Sequence, residues 1–180
     1  MLLKDKAKNF PDIDLKMNLN HSEKVIEDVL AHEVDFGFVT KKISNSDLNY
    51  EFFCDEEYVM VAPLSATKKD ISTAKWIYYP GFDDISDKWQ RNQQRLDSQI
   101  FSRQAGQTNS LRAALTMVSH GLGFTIAPNH CLSTIEERKN LKVISNGIKP
   151  SLNRIYIVTI NGVQQPLRVE KTIESFRRMK

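Results

Sequence analysis

Apolar positions recur along this chain with two different periods, and the switches between them mark out its elements. Ile13, Leu15, Met17 and Leu19 alternate with Asp14, Lys16 and Asn18, the period of a strand with one dry and one wet face. Val25, Ile26, Val29 and Leu30 then share one stripe of a 3.6-residue helix. Asn20 to Ser22 supply a cap for it, and Glu23 stands three residues after Asn20 as in a capping box. Val34 to Val39, VDFGFV, is a nearly unbroken apolar run of the kind found in buried parallel strands. Strand, helix and strand in succession predict a βαβ unit with a right-handed crossover. Residues 1–10 read as the end of a helix stopped by Pro11.

The most informative stretch is Thr108 to Pro128, TNSLRAALTMVSHGLGFTIAP. Leu111, Ala114, Leu115 and Val118 form a single apolar stripe. Thr108, Asn109 and Ser110 all carry short polar side chains able to bond the free N–H groups of a first turn. Gly121 suits the left-handed residue that ends a helix, with Leu122 packing back on Met117. Gly123 to Ala127 reads as a short buried strand halted by Pro128. The start of this helix, with its unpaired N–H groups and partial positive charge, is a natural seat for a small anion.

Between and after these segments the pattern is plainer. Residues 63–73 read as a polar crossing, and Trp76 to Tyr79 as a short strand ended by a Pro80-Gly81 turn. Asp83 or Asp84 can cap a helix running to about Asp97, whose sparse apolar side of Ile85, Trp89 and Leu96 predicts an exposed helix. Leu132 to Lys139 reads as a short helix, Leu141 to Ser145 as a strand, and 146–150 as a second crossing. Arg154 to Ile160 is a buried strand, and Pro166 opens an amphipathic helix with Val169, Ile173 and Phe176 facing inward.

These segments resemble, in order and spacing, the effector-binding domain of LysR-type transcriptional regulators. SLRAALTMVSHGLGFTIAP is similar to that family's helix, glycine pair and strand ending in Ala-Pro. Phe10-Pro11-x-Ile13-x-Leu15 followed by VDFGFV looks like the family's domain opening, and LNYEFFCDEEYVMVAP like the strands that come next. The resemblance implies an α/β fold of the type 2 periplasmic-binding-protein kind, with two Rossmann-like lobes joined by two crossing strands. Lobe I would comprise 1–63 and 151–180, and lobe II 64–150. One departure stands out: the strand and pocket-lining turn that open the family's domain are missing before Met1, which predicts oligomerisation or reduced stability.

Composition narrows the function further. With 41% apolar and 26% charged residues among 180, the chain reads as an ordinary globular protein. A net charge of +3 is spread along the sequence rather than gathered into the stripe expected of a nucleic-acid binder. Lys4, Lys6 and Lys8 near the start and Arg177, Arg178 and Lys180 at the end are the nearest to clusters. No signal peptide, membrane-length apolar run or disulfide framework is evident, and the expected compartment is the cytoplasm. The Asn20-His21-Ser22 sequon carries no weight there.

Catalysis finds little support. His21, His32, His120 and His130 are scattered, with no metal-ligand spacing. His120 reads as a favourable cation at a helix end, and Asp55-Glu56-Glu57 and Glu136-Glu137 as solvated surface. Cys54 lies beside acidic residues, which disfavour the thiolate. Gly121-Leu122-Gly123 lacks the third glycine of a dinucleotide fingerprint, because Ile126 holds that position. No cofactor and no metal are expected.

Binding is better supported. Asn109 and Ser110 can bond a carboxylate or phosphate, or serve only as caps. Asn20 and Ser22 stand at the other helix start, and Thr40 follows VDFGFV where the family presents a polar group to its effector. Tyr79 and Pro80 end a strand of the second lobe, and Ile126 offers an apolar wall; Arg103 and Arg112 read as surface residues. In such sheets ligands sit beyond the carboxyl ends of strands, so the resemblance implies two helix starts facing an inter-lobe cleft and a small organic anion as effector. A homodimer or tetramer would contact DNA only through a helix-turn-helix domain that this chain does not contain. The alternatives are a stand-alone solute-binding protein and, less favoured, an enzyme on the same scaffold.

Overall fold

The computed structural model describes residues 14–91, 100–144 and 150–178. It divides into two compact units, Met1–Asp55 with Arg154–Lys180, and Glu56–Asn153. Both boundaries fall inside long strands, β2 (Leu48–Pro63) and β7 (Ser151–Ile160). β2 is one continuous strand rather than the pair that the family resemblance implied.

Unit 1 holds α1 (Ser22–Leu30), β1 (Gly37–Val39), the first part of β2, most of β7 and α4 (Leu167–Arg177). β7 lies between β1 and β2, and β1 pairs with it antiparallel, Phe38 opposite Ile157. Ile26 and Val29 of α1 pack with Val39, Leu48 and Val158 on one side. On the other, Val169 and Ile173 of α4 join Ile157 with Phe36, Phe38 and Phe53 against them. Phe176 stacks edge-on to Phe38 at 4.9 Å, so the inward stripe expected for this helix is the one observed.

The opening of the chain departs from its pattern. Residues 14–20 form no strand, Met17 is 59% exposed and Leu19 93%. Among the described residues the βαβ unit is therefore not formed, and among them β1 pairs with β7 alone. Alternation encodes which side chains a strand would bury, but a strand exists only where a neighbour accepts its backbone bonds. A cavity of about 340 Å³ lies here, lined among others by Leu15, Met17, Val25, Phe38 and Phe176. The helix read over 1–10, Pro11 and Ile13 lie outside the described residues.

The helix caps also differ from expectation. The N-cap of α1 is His21, with no side-chain cap bond, so the Asn20–Glu23 capping box is not formed. Asn20 reaches instead toward Asp28, 3.5 Å away. The helix ends on His32, whose φ of +57° is unusual for a residue with a side chain. Glu33 N–H donating to Asp28 O at 2.8 Å closes that turn.

Unit 2 holds the rest of β2, β3 (Trp76–Tyr78), α2 (Phe82–Arg91), β4 (Gln104–Gln107), α3 (Leu111–Ser119), β5 (Thr125–Pro128) and β6 (Leu141–Ile144). β2 pairs antiparallel with β5 and with β6, while β3 pairs parallel with β4, a strand the sequence pattern missed. Ala114, Leu115 and Val118 of α3 are buried as their spacing required. In place of one helix over 132–139 stand two 3-10 turns, Asn129–Thr134 and Glu136–Asn140.

The helix expected to be exposed is not. α2 starts at Phe82, ahead of both aspartates proposed as caps, and Phe82, Ser86 and Trp89 are buried. Phe82 and Trp89 lie one to two turns apart on one side and meet an aromatic cluster with Trp76 and Phe101, Trp76 and Phe101 being 4.4 Å apart. Two large aromatics bury as much area as several aliphatic residues, which is why a sparse stripe still makes an inward face. Leu96 lies outside the described residues.

Two glycines of the α3–β5 connection obey different constraints. Gly121 takes φ +81° with open space where a Cβ would stand, and Leu122 N–H bonds Met117 O at 3.2 Å, the helix stop expected from sequence. Gly123 has an ordinary φ, but a Cβ there would lie 2.5 Å from Lys75 O, the backbone oxygen that accepts Phe124 N–H. Gly123→Ala therefore destabilises unit 2 by about 2 kcal/mol through overpacking, and Gly121→Ala by about 1 kcal/mol through backbone strain. Urea unfolding followed by tryptophan fluorescence checks this, because Trp76 and Trp89 both lie in unit 2.

Candidate functional site

In unit 1 the sequence-derived residues Ser22 and Thr40 meet. Thr40 N–H donates to Ser22 Oγ at 3.0 Å, and the two hydroxyls lie 3.2 Å apart. Both residues are half-buried, whereas Asn20 is exposed. The first helical N–H groups have no partner four residues back, and Ser22 spends its hydroxyl on Thr40 rather than on them. Glu23 is held below the usual carboxylate range, first by its own backbone N–H and then by Lys41, whose ammonium is 3.5 Å away. This start of α1 thus joins two hydroxyls, an anion and a cation from two segments, Ser22-Glu23 and Thr40-Lys41.

In unit 2 the site residues separate into two kinds. Asn109 and Ser110 are exposed. Ser110 is the N-cap of α3 in extended conformation, yet no side chain caps the helix. Ser110 N–H turns back to Thr108 Oγ1 at 3.4 Å, and Thr108 N–H is anchored on Tyr78 O at 3.0 Å. The capping role weighed from sequence is therefore not the one these side chains perform; they stand free beside a helix start whose N–H groups carry partial positive charge.

Tyr79 and Ile126 are also together, but in the core. Tyr79 OH donates to Ile126 O at 2.7 Å in a buried contact. Burial, with Cys131 and Glu56 nearby, pushes the Tyr79 phenol up. Ile126 has no exposed surface, so its side chain is not the ligand-facing wall expected of it; β5 lies against β2 and the apolar interior takes the side chain. Pro80 is exposed. The links between Ser22 and Thr40 and between Tyr79 and Ile126 join residues remote in sequence, and no local pattern signals them. No group of His, Cys, Asp and Glu able to hold a metal occurs among the described residues, and no helix among them is long and apolar enough to cross a membrane.

Comparison with known proteins gives this arrangement its family. Residues 2–180 match the LysR substrate binding domain, and the chain belongs to that family. It is 23% identical over 153 residues to the HTH-type transcriptional regulator YofA of Bacillus subtilis, covering 85% of this chain and 52% of that protein. It is 27% identical over 151 residues to a probable RuBisCO transcriptional regulator of Phaeodactylum tricornutum, covering 77% and 49%. The chain thus spans about half the length of these relatives.

Among solved structures it is similar to the CcmR regulatory domain of Synechocystis PCC6803 in complex with 2-PG, with TM-score 0.80 and 18% identity over 99% of this chain and 88% of that one. The effector binding domain of QuiR in complex with shikimate gives TM-score 0.69 and 16% identity over 98% and 86%. The BenM effector binding domain with benzoate gives 0.73 and 15% over 99% and 83%. The fold is that of LysR regulatory domains, the type 2 periplasmic-binding-protein kind expected from sequence.

Removing the Ser22 hydroxyl leaves the half-buried Thr40 N–H without its acceptor, so Ser22→Ala lowers stability by about 1–3 kcal/mol. Thr40→Val keeps that N–H bond and costs less. Tyr79→Phe strands the buried Ile126 carbonyl at a similar cost, about 1–3 kcal/mol. Thermal denaturation of the three variants tests the ranking.

Proposed function

We propose that this chain is the ligand-sensing domain of a LysR-type transcriptional regulator and that its effector is a small organic anion. The observation that carries the reading is the start of α3, where Asn109 and Ser110 stand exposed beside a helix terminus that no side chain caps. Backbone N–H groups, an amide and a hydroxyl together offer donors suited to a carboxylate or phosphate. Asn20, Ser22 and Thr40 offer a polar patch at the start of α1, with Pro80 beside the Tyr79 anchor; Tyr79 and Ile126 act as internal supports. Similarity to domains solved with shikimate and benzoate, both carboxylates, agrees with an anionic ligand.

In the cell such a domain works in the cytoplasm as part of a dimer or tetramer. Ligand shifts the population between states that hold DNA-binding domains differently, to the extent that it prefers one state. The chain is a regulator rather than an enzyme, in line with the relatives named as transcriptional regulators. DNA contact belongs to a helix-turn-helix segment outside this sequence.

Thermal-shift and calorimetric titration with benzoate, shikimate and inorganic phosphate, against a neutral polyol and a diamine, tests the proposal. A ligand that binds only the folded chain raises its melting temperature, and the anions are expected to do so. Asn109→Ala with Ser110→Ala weakens the best anion about tenfold or more, through lost hydrogen bonds to a charged group, and leaves the unliganded melting temperature within a degree or so, since neither side chain is buried. Stabilisation by the polyol or diamine alone overturns the anionic assignment.

A further inference from the structure

A second cluster lies in unit 2, outside the residues just described. Cys131 occupies the 3-10 turn Asn129–Thr134 that follows β5, and is partly exposed. His130 Nε2 lies 3.4 Å from Cys131 Sγ, and the other ring nitrogen, Nδ1, lies 3.5 Å from Glu56 Oε1. One imidazole thus bridges a thiol and a carboxylate. Pairing of Tyr58 with Pro128 brings β2 beside this turn, and Asn129 Nδ2 donates to Glu57 Oε2 at 2.6 Å to hold it there. The Glu56 side chain, 14% exposed, also lies near the buried Tyr58 phenol, which burial and that carboxylate push up.

The chemistry follows from which nitrogen faces which group. A carboxylate at Nδ1 favours the tautomer protonated there, leaving the Nε2 lone pair toward the thiol. Burial and Glu56 both push the Cys131 thiol up, so little thiolate forms unaided and a base within hydrogen-bond reach makes the difference. The groups facing the thiol are His130 on its own turn, Glu56 on β2 and Tyr79 beyond β3; Tyr58 on β2 stands behind Glu56.

We propose that Cys131 is a nucleophilic thiol that exchanges with small disulfides, with His130 as its base and Glu56 as a positioning carboxylate. As Sγ attacks one sulfur of the disulfide, the thiol proton passes to His130 Nε2. A mixed disulfide forms on Cys131, the original S–S bond breaks, and the departing thiolate takes the proton from His130. No oxidant beyond the disulfide is needed. The modification places a new group on the turn after β5, against the first residues of β2 that belong to unit 2.

The test uses the full chain and 4,4′-dithiodipyridine, a neutral disulfide whose exchange releases an absorbing thione. The sequence has two cysteines, Cys54 and Cys131, so Cys54→Ser and Cys131→Ser each leave one thiol. At neutral pH the Cys54→Ser protein is expected to react about tenfold faster than Cys131→Ser. Adding His130→Gln to Cys54→Ser slows it about tenfold and moves the midpoint of the pH profile upward, since burial and Glu56 hold the unassisted thiol up. Adding Glu56→Gln slows it severalfold. Tryptophan fluorescence confirms that the variants are folded, a readout independent of the exchange. A Cys54→Ser rate no greater than that of Cys131→Ser overturns the proposal, as does an unchanged rate and midpoint in folded His130→Gln.

Discussion

The backbone pairing of β2 is the constraint from which the other arrangements follow. Its later residues are hydrogen-bonded on both edges, Tyr58 to Val61 by β5 and Met60 to Pro63 by β6. With both edges occupied and packing above and below, Val59, Met60, Val61 and Ala62 are buried without alternation. The same strand continues into unit 1 beside β7. Fixing β5 on β2 sets the Ile126 carbonyl under the Tyr79 hydroxyl, and it sets the turn carrying His130 and Cys131 beside Glu56. One ladder thus positions both the Tyr79–Ile126 bond and the thiol cluster.

Around that ladder, polar groups are distributed according to how much water they lose. Buried hydroxyls are satisfied internally: Tyr79 on Ile126, and Thr125 on Ile77 O at 3.0 Å. At the starts of α1 and α3 the exposed donors are left to solvent or ligand. Leaving them unpaired costs little in the free protein, because water bonds them, whereas a burying ligand must replace those bonds.

The arrangement of Ser22 and Thr40 shows why a capping signature can mislead. Asn20, Ser22 and Glu23 have the composition of a cap, yet the Ser22 hydroxyl accepts Thr40 N–H from the end of β1. Local and non-local bonds compete for the same oxygen, and the tertiary partner wins here because the α1–β1 packing already holds the two groups together. α3 behaves alike: the Ser110 hydroxyl makes no cap bond, while Thr108 Oγ1 accepts Ser110 N–H. Alternation at 13–19 and the sparse stripe of α2 erred in the same way. The first had the period of a strand but no neighbour among the described residues, and left Met17 and Leu19 exposed; the second had a nearly silent face filled by Phe82 and Trp89.

What the sequence determined by itself was local and periodic. The stripe of α3 and the stop at Gly121, the inward residues of α4, and the strands around VDFGFV and RIYIVTI could all be read there, because each is encoded by residues within a few positions of one another; the family was legible in the order and spacing of such segments. Tertiary structure alone decided which strands pair and which helix faces meet aromatics. It also decided that Ile126 is core and that His130 lies between Cys131 and Glu56. These depend on contacts between residues far apart in the chain, and such contacts leave no period in a single sequence.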